Sequence, residues 1–289
     1  MSLSASPTPA SSPVPALPPL PDVAARLRAA GCVFAEDEAR LILSAARTPD
    51  ELAALVERRS AGLPLEHVLG WAEFRGLRIS VGAGVFVPRR RTEFLAERAV
   101  AAALGAVRRG RGRPPVVVDL CCGTGAVGAA VAAAVREAGS PVELHAADVD
   151  PAAVRCARRN VAAAGGGRVY EGDLYGPLPA ALRGRVDVLA VNAPYVPTGE
   201  IGLLPPEARD HEPAVALDGG PDGLDVQRRV AAGAPRWLAP DGVLLVETGR
   251  RQAPLTADAV ARAGLVPEVA VREELEATVV TGVRPVPGR

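Results

Sequence analysis

The sequence predicts an α/β protein, a mostly parallel seven-stranded sheet covered by helices and preceded by a small helical domain and a β-hairpin. Three observations carry this expectation. From residue 116 onward, short apolar runs alternate with segments of helical composition, the pattern of strands joined by crossover helices. The first of these runs ends in a glycine-rich turn that opens a helix, which makes the predicted sheet Rossmann-like. Ahead of it, residues 22–63 repeat their apolar positions at three- and four-residue steps, the helical period.

In chain order, Met1 to Pro21 is mostly Ser, Ala and Pro without a basic side chain. Proline interrupts each short apolar run, so residues 1–21 are expected to stay extended or disordered, and to be neither a signal peptide nor a membrane span. Residues 22–72 form the predicted helical domain, with Val23 and Leu27, Ala39 and Leu43, and Leu52, Leu55 and Val56 at helical spacing. Within it, Thr48-Pro49-Asp50-Glu51 reads as a capping box. Residues 73–88 are the predicted hairpin connector: Phe74 to Val81 alternates, Gly82-Ala83-Gly84 turns, Val85-Phe86-Val87 returns and Pro88 closes it. Residues 89–289 form the α/β domain. It opens with a helix from Thr92 to about Arg108, followed by a linker through Gly110-Arg111-Gly112-Arg113 that reads as a solvated basic run. Strands are expected at Val116–Leu120, Val142–Ala147, Arg168–Glu171, Val186–Val191 and Val243–Glu247, with a closing pair at Glu268–Val271 and Thr278–Val283. No internal repeat is present.

Composition narrows the chemistry. Every one of the 33 basic side chains is arginine, balanced by 33 acids. The missing ε-amine excludes a Schiff-base enzyme, a phosphate loop ending in Gly-Lys-Ser/Thr and a kinase. Zero net charge argues against a dedicated nucleic-acid binder. Cys32, Cys121, Cys122 and Cys156 have neither zinc spacing nor disulfide density, which fits a reducing cytoplasm. His67, His145 and His211 are scattered, and no metal site is expected.

The first strand ends in Asp119-Leu120-Cys121-Cys122-Gly123-Thr124-Gly125-Ala126-Val127-Gly128. Gly123 and Gly125 let the backbone turn sharply and approach a ligand at a helix amino terminus. The second strand ends at Asp148, placed to accept hydrogen bonds from ribose hydroxyls, and Asp150 just ahead of Pro151 is the better helix cap. After the third strand comes Gly172-Asp173-Leu174, where a carboxylate can reach an adenine amino group. With their neighbours Asp119, Thr124, Val149 and Leu174, these residues make up the expected cofactor set. Such a crevice fits a nucleoside-containing cofactor without separating NAD from S-adenosylmethionine.

After the fourth strand the chain reads Asn192-Ala193-Pro194-Tyr195. This resembles the Asn-Pro-Pro-Tyr signature of S-adenosylmethionine-dependent methyltransferases that alkylate a planar amide or exocyclic nitrogen. A planar nitrogen has its lone pair delocalised and is a poor nucleophile. The Asn192 side-chain oxygen and the Ala193 carbonyl can accept its two N–H protons, hold the lone pair toward the sulfonium methyl group and favour a pyramidal transition state. Pro194 rigidifies the loop and Tyr195 walls the pocket, and Asn192 is expected to touch both cofactor and acceptor. Ala193 stands where the signature has its first proline, which keeps the acceptor carbonyl and loses rigidity.

The similarity extends along roughly residues 22–285. Gly62 to Gly70, Glu73-Phe74-Arg75-Gly76-Leu77, Val87-Pro88-Arg89, Thr92-Glu93, the glycine-rich turn, Asn192 to Tyr195, Glu212-Pro213, Gly219-Gly220, Asp222-Gly223-Leu224 and Glu247-Thr248-Gly249 with Gln252 follow one another. In that order they resemble the protein-(glutamine-N5) methyltransferase family, which modifies the Gly-Gly-Gln loop of peptide-chain release factors. The resemblance implies a class I methyltransferase fold, S-adenosylmethionine as cofactor, a release factor as partner gripped by the helical domain, and a monomeric cytoplasmic enzyme. It also implies that Arg89 and Glu212 contact the substrate. Three departures mark a divergent branch: Arg90 and Arg91 replace a proline and an acid, Cys121 replaces a glycine, and Ala277-Thr278 replaces an Asp-Arg pair. A methyltransferase acting on a nucleic-acid base, and a cofactor-binding paralogue with another acceptor, are the competing readings.

Overall fold

The computed structural model describes residues 17–286, and the first sixteen residues of the proline-rich segment lie outside them. Two compact units part between Leu69 and Gly70. The first contains helices α1 (Leu20–Ala29), α2 (Ala35–Ala45), α3 (Pro49–Ser60) and α4 (Leu65–Leu69). Helix α1 starts inside the segment expected to be extended. Pro21 falls in its first turn and Asp22 follows; proline there gives up no helical hydrogen bond, and an acid suits the helix amino end. Val23, Leu27, Ala39, Ile42, Leu52 and Val56 close a small apolar core. Thr48 caps α3 by accepting the Glu51 N–H at 3.2 Å, while the Glu51 carboxylate reaches back one residue further, to the Arg47 N–H.

The second unit opens on a hairpin, β1 (Trp71–Phe74) and β2 (Leu77–Ser80). This corrects the expected turn at Gly82-Ala83-Gly84, since β1 and β2 pair around Arg75-Gly76 and begin two residues before the expected boundary. Both turn residues have positive φ, 49° and 74°, the conformation a two-residue hairpin loop requires to match strand twist. Val85 and Val87 pack as buried side chains and do not pair as a strand.

Helix α5 (Thr92–Arg108) leads into β3 (Val116–Leu120), α6 (Ala126–Glu137), β4 (Glu143–Asp148), α7 (Pro151–Ala163), β5 (Arg168–Glu171) and β6 (Val186–Val191). They are followed by α8 (Pro206–His211), α9 (Asp225–Gly233), β7 (Leu238–Glu247), α10 (Ala253–Arg262), β8 (Val266–Arg272) and β9 (Ala277–Val283). The seven strands order as β5-β4-β3-β6-β7-β9-β8. β9 runs antiparallel to both of its neighbours and the other pairs are parallel. Alternate strand residues divide between two layers. Val117, Val188, Ala190 and Leu245 pack with α5 and α6, whereas Val116, Val118, Leu189, Val191, Leu244 and Val246 pack with α9 and α10.

The basic linker is not merely solvated. Arg113 makes two bonds to the buried Asp187 carboxylate, at 2.6 and 3.2 Å, and donates to the Arg185 carbonyl, while Arg111 bonds the Pro240 carbonyl. Asp187 in turn accepts the Val116 N–H at 2.9 Å. The run therefore fastens the amino ends of β3 and β6, far from the carboxyl edge. Among the described residues no helix is long and apolar enough to cross a membrane, and no cluster of His, Cys, Asp and Glu has the arrangement of a metal site.

Candidate active site

Strand register aligns four strand ends. Leu120 pairs with Ala147 on one side and Val191 on the other, and Val191 pairs with Val246. The following residues, Asp148, Cys121, Asn192 and Glu247, thus stand in one rank along the carboxyl edge of four adjacent parallel strands. β3 and β6 are neighbours without being consecutive, so the rank straddles the reversal in strand order, where open α/β sheets bind ligands.

On the β3–β4 side the site is made by backbone N–H groups and carboxylates. Asp148 accepts the Gly123 N–H at 2.8 Å through Oδ2 and the Asp150 N–H at 2.9 Å through Oδ1. Burial raises its pKa, and these two N–H groups oppose the rise. Gly123 has a φ of +54°, and a Cβ there would meet no atom within 4 Å. Open space beside a carboxylate with lone pairs to spare fits a ribose diol. Val149, 49 % exposed, offers an apolar surface next to it.

Two other members of the expected cofactor set, Asp119 and Thr124, hold the turn. Asp119 is buried and accepts the Gly128 N–H at 2.8 Å. Burial pushes its pKa up to about 8, with the Gly128 N–H opposing and the Asp148 charge adding. Thr124 is buried, and its carbonyl accepts the Asn160 side-chain amide at 2.8 Å, which ties the turn to α7. Asp173 forms an exposed ion pair with Arg229, and Leu174 beside it is buried. Cys121, in place of the family-like glycine, takes a left-handed φ of 53°, which costs a β-carbon residue about 1–2 kcal/mol. Burial also raises its thiol pKa, so it remains a thiol.

On the β6–β7 side the site is built from side chains. Asn192 Nδ2 donates to Thr92 Oγ1 at 3.3 Å. The Tyr195 hydroxyl donates to Glu247 Oε1 at 3.3 Å, and Arg91 Nε lies 3.8 Å from the same oxygen. Arg91 also sits over the Tyr195 ring, 6.0 Å from its centroid. Glu247 is 2 % exposed; burial raises its pKa, while hydrogen bonding from Thr92, the Arg91 charge and the Tyr195 hydroxyl favour the ionised form. Burial and the Glu247 charge raise the Tyr195 phenol, which stays a neutral donor. Ala193 is 1 % exposed, its methyl group packed in the apolar core, so a side chain there adds to the core while the backbone carbonyl stays on the loop.

The loop is clamped from behind. Gln252 donates to the carbonyls of Tyr195 at 2.9 Å and Asp222 at 3.0 Å, and a Cβ on Gly223 would fall 2.3 Å from the Tyr195 carbonyl oxygen. The family-like glycine segments therefore act as room for the Asn192–Tyr195 loop. Arg89 and Glu212, expected to touch substrate, meet each other at 2.6 Å; the Glu212 side chain is fully buried and also accepts the Val87 N–H. Thr92, Arg91 and Glu247 had no role assigned from the sequence. The signal for Glu247 was available, namely an acid at the end of the strand next to Asn192.

A glycine-turned seven-stranded sheet with this order and these strand ends is the class I S-adenosylmethionine-dependent methyltransferase fold. Residues 103–202 match the methyltransferase small domain family. The chain is 40 % identical over 243 residues to a release factor glutamine methyltransferase of Mycolicibacterium smegmatis, spanning 83 % of this chain and 82 % of that one. It therefore belongs to the release factor glutamine methyltransferase family. A 4-amino-L-phenylalanine/4-methylamino-L-phenylalanine methyltransferase of Streptomyces pristinaespiralis is 40 % identical over 197 residues, 68 % of this chain and 65 % of that one. Among solved structures, the CMeT domain of the citrinin polyketide synthase shares the fold at 13 % identity, with a TM-score of 0.51 over 92 % of this chain and 67 % of that domain.

Proposed function

We propose that the chain transfers a methyl group from S-adenosylmethionine to the side-chain amide nitrogen of a glutamine in a peptide-chain release factor. It acts as a cytoplasmic monomer, with residues 22–72 gripping the protein substrate and without binding nucleic acid directly. The observation that carries this reading is the single rank of Asp148, Cys121, Asn192 and Glu247 along four paired strands. It brings an acceptor for a nucleoside and an acceptor for a planar nitrogen to one edge. The cofactor, when bound, supplies an electrophilic methyl group on a sulfonium. Asp148, with Gly123, Gly125, Val149 and Asp173 around it, holds the nucleoside end. Asn192 Oδ1 and the Ala193 carbonyl accept the two amide protons and aim the lone pair, Pro194 stiffens the loop, and Tyr195 packs on the planar group. Peptide mapping after incubation with labelled S-adenosylmethionine and recombinant release factor tests the assignment. Label on the glutamine of the Gly-Gly-Gln loop is expected, and its absence from an enzyme that binds the cofactor rejects the acceptor.

A second reading is an aromatic amine on a free amino acid, the acceptor named for the Streptomyces pristinaespiralis relative. Arg91 favours it: its side chain is 46 % exposed beside Tyr195, where the family-like acid is replaced by a cation able to pair with a carboxylate. Methylation of 4-amino-L-phenylalanine that falls in Arg91→Glu, while release factor stays unlabelled, selects this reading.

A further inference from the structure

We propose that Asn160 is a positioning residue for the cofactor turn. Its side-chain amide fixes the Thr124 carbonyl and fastens the turn to the end of β2. The inference rests on the reading that Gly123 to Gly125 carry the cofactor.

Asn160 lies on α7 and is 4 % exposed. The Ser80 N–H donates to its Oδ1 at 2.8 Å, and its Nδ2 donates to the Ser80 carbonyl at 2.9 Å and to the Thr124 carbonyl at 2.8 Å. An amide oxygen accepts and an NH2 group donates, so one N–H and two carbonyls leave a single orientation that satisfies all three. Aspartate has no proton for either carbonyl. Ser80 is free to take part because an antiparallel strand turns the N–H and C=O of alternate residues toward its partner. The Val81 N–H goes to the Gly70 carbonyl across the hairpin, so the Ser80 groups point off the opposite edge of β2, where Asn160 stands in for a further strand. The turn needs this hold. Thr124 sits between two glycines with φ of +54° and +74°, whose peptides rotate at little cost. The Asp148 carboxylate fixes the turn at the Gly123 N–H. Helix α7 bounds it at Gly125, where a Cβ would fall 3.1 Å from the Ala157 methyl group. Asn160, one helical turn beyond Ala157, holds the peptide that follows Thr124. Ala153 and Cys156, earlier on the same helix, pack against Val85, so α7 carries the segment after β2 as well as the turn.

Calorimetric binding of S-adenosylhomocysteine to the full chain reads this role without turnover. Asn160→Asp keeps the shape and the bond from the Ser80 N–H, and turns a carboxylate oxygen toward the two carbonyls. Its Kd is expected to rise about 10-fold, the worth of one hydrogen bond, with most of kcat retained at saturating S-adenosylmethionine. Cys156→Ala is the control for packing: it trims the contact with Val85, and should lower the melting temperature while leaving the Kd unchanged. A wild-type Kd in Asn160→Asp, or an equal rise in Cys156→Ala, overturns the proposal. Hydrogen exchange on the wild-type protein decides the matter if Asn160→Asp does not fold. Saturating S-adenosylhomocysteine is expected to slow exchange of the Ser80 N–H more than that of the Val81 N–H, and equal slowing overturns the proposal. Asp148→Ala tests the underlying reading separately. An unchanged Kd in that variant rejects the cofactor site itself, whereas a raised Kd there with a wild-type Kd in Asn160→Asp rejects the role of Asn160 alone.

Discussion

The two halves of the rank are held by different kinds of interaction. At the ends of β3 and β4, backbone N–H groups of Gly123, Asp150 and Gly128 satisfy Asp148 and Asp119. All of those groups lie within 32 residues of one another, between 119 and 150. At the ends of β6 and β7, Asn192 meets Thr92, and Tyr195 and Arg91 meet Glu247, through side chains spanning residues 91–247. A backbone cradle tolerates changes of side chain as long as the turn survives, whereas a side-chain network changes with each substitution. The family departures at Arg91 and Ala193 lie in the side-chain half, and Cys121 is the exception in the other.

The sharpest break in this contrast comes from Asn192→Ala. If Asn192 aims the nitrogen as proposed, its loss should lower methyl transfer about 100-fold or more, while calorimetry should find S-adenosylmethionine binding close to wild type. Comparable loss of cofactor affinity would mean that the two halves are one unit. Asp148→Ala should do the reverse. It removes the charged hydrogen bonds proposed to the ribose, so the Kd for S-adenosylmethionine should rise about 10- to 100-fold. At saturating cofactor most of kcat should survive.

The same contrast explains what the sequence reveals. β3 and β6 have the bounds read from their apolar runs, because a buried parallel strand is largely apolar and a turn or glycine punctuates it; the half-exposed β5 also has its expected bounds. The cofactor turn is legible for the same local reason. The hairpin was displaced because Gly82 and Gly84 advertise a turn more loudly than Arg75-Gly76, and only pairing reveals which φ values are positive. The Arg91–Glu247 contact and the clamp of Arg111 and Arg113 on Asp187 join segments many residues apart. No local period or motif encodes such a meeting. Arg89 and Glu212 stand at family-like positions, and only the fold brings them against each other.

A pH titration of stability probes how tightly the backbone half is sealed. Asp119 has its pKa raised from 3.8 to about 8, chiefly by burial. The unfolded chain therefore releases this proton near pH 4, whereas the folded protein keeps it to about pH 8. Across that window the unfolded state binds fewer protons, so the contribution is full below pH 4 and is lost as pH rises through 8. Asp119→Asn cannot ionise and can still accept the Gly128 N–H. Urea midpoints should therefore show a flatter decline for the variant, with a relative gain on the order of 2 kcal/mol at the alkaline end. Asp148 and Glu247 are shifted the same way, so a residual slope remains. Parallel curves for variant and wild type would mean that water reaches Asp119 and that the cradle is open.

The smallest effect concerns the one departure in the backbone half. Cys121 combines a left-handed φ of 53° with side-chain packing against the apolar cluster of β6 and β7, so a single replacement would mix strain with lost burial. Two replacements separate them. Cys121→Ala loses most of the packing and keeps the β-carbon that makes this φ unfavourable; Cys121→Gly loses the packing and the strain together. The glycine variant should therefore be the more stable of the two by about 1 kcal/mol, after its larger unfolded-state entropy offsets part of the gain. Thermal or urea unfolding of the pair measures this difference. An alanine variant as stable as the glycine one would mean that the turn has relaxed around the β-carbon. The backbone half would then adapt to its side chains as the acceptor half does, and the contrast between them would rest on sequence distance alone.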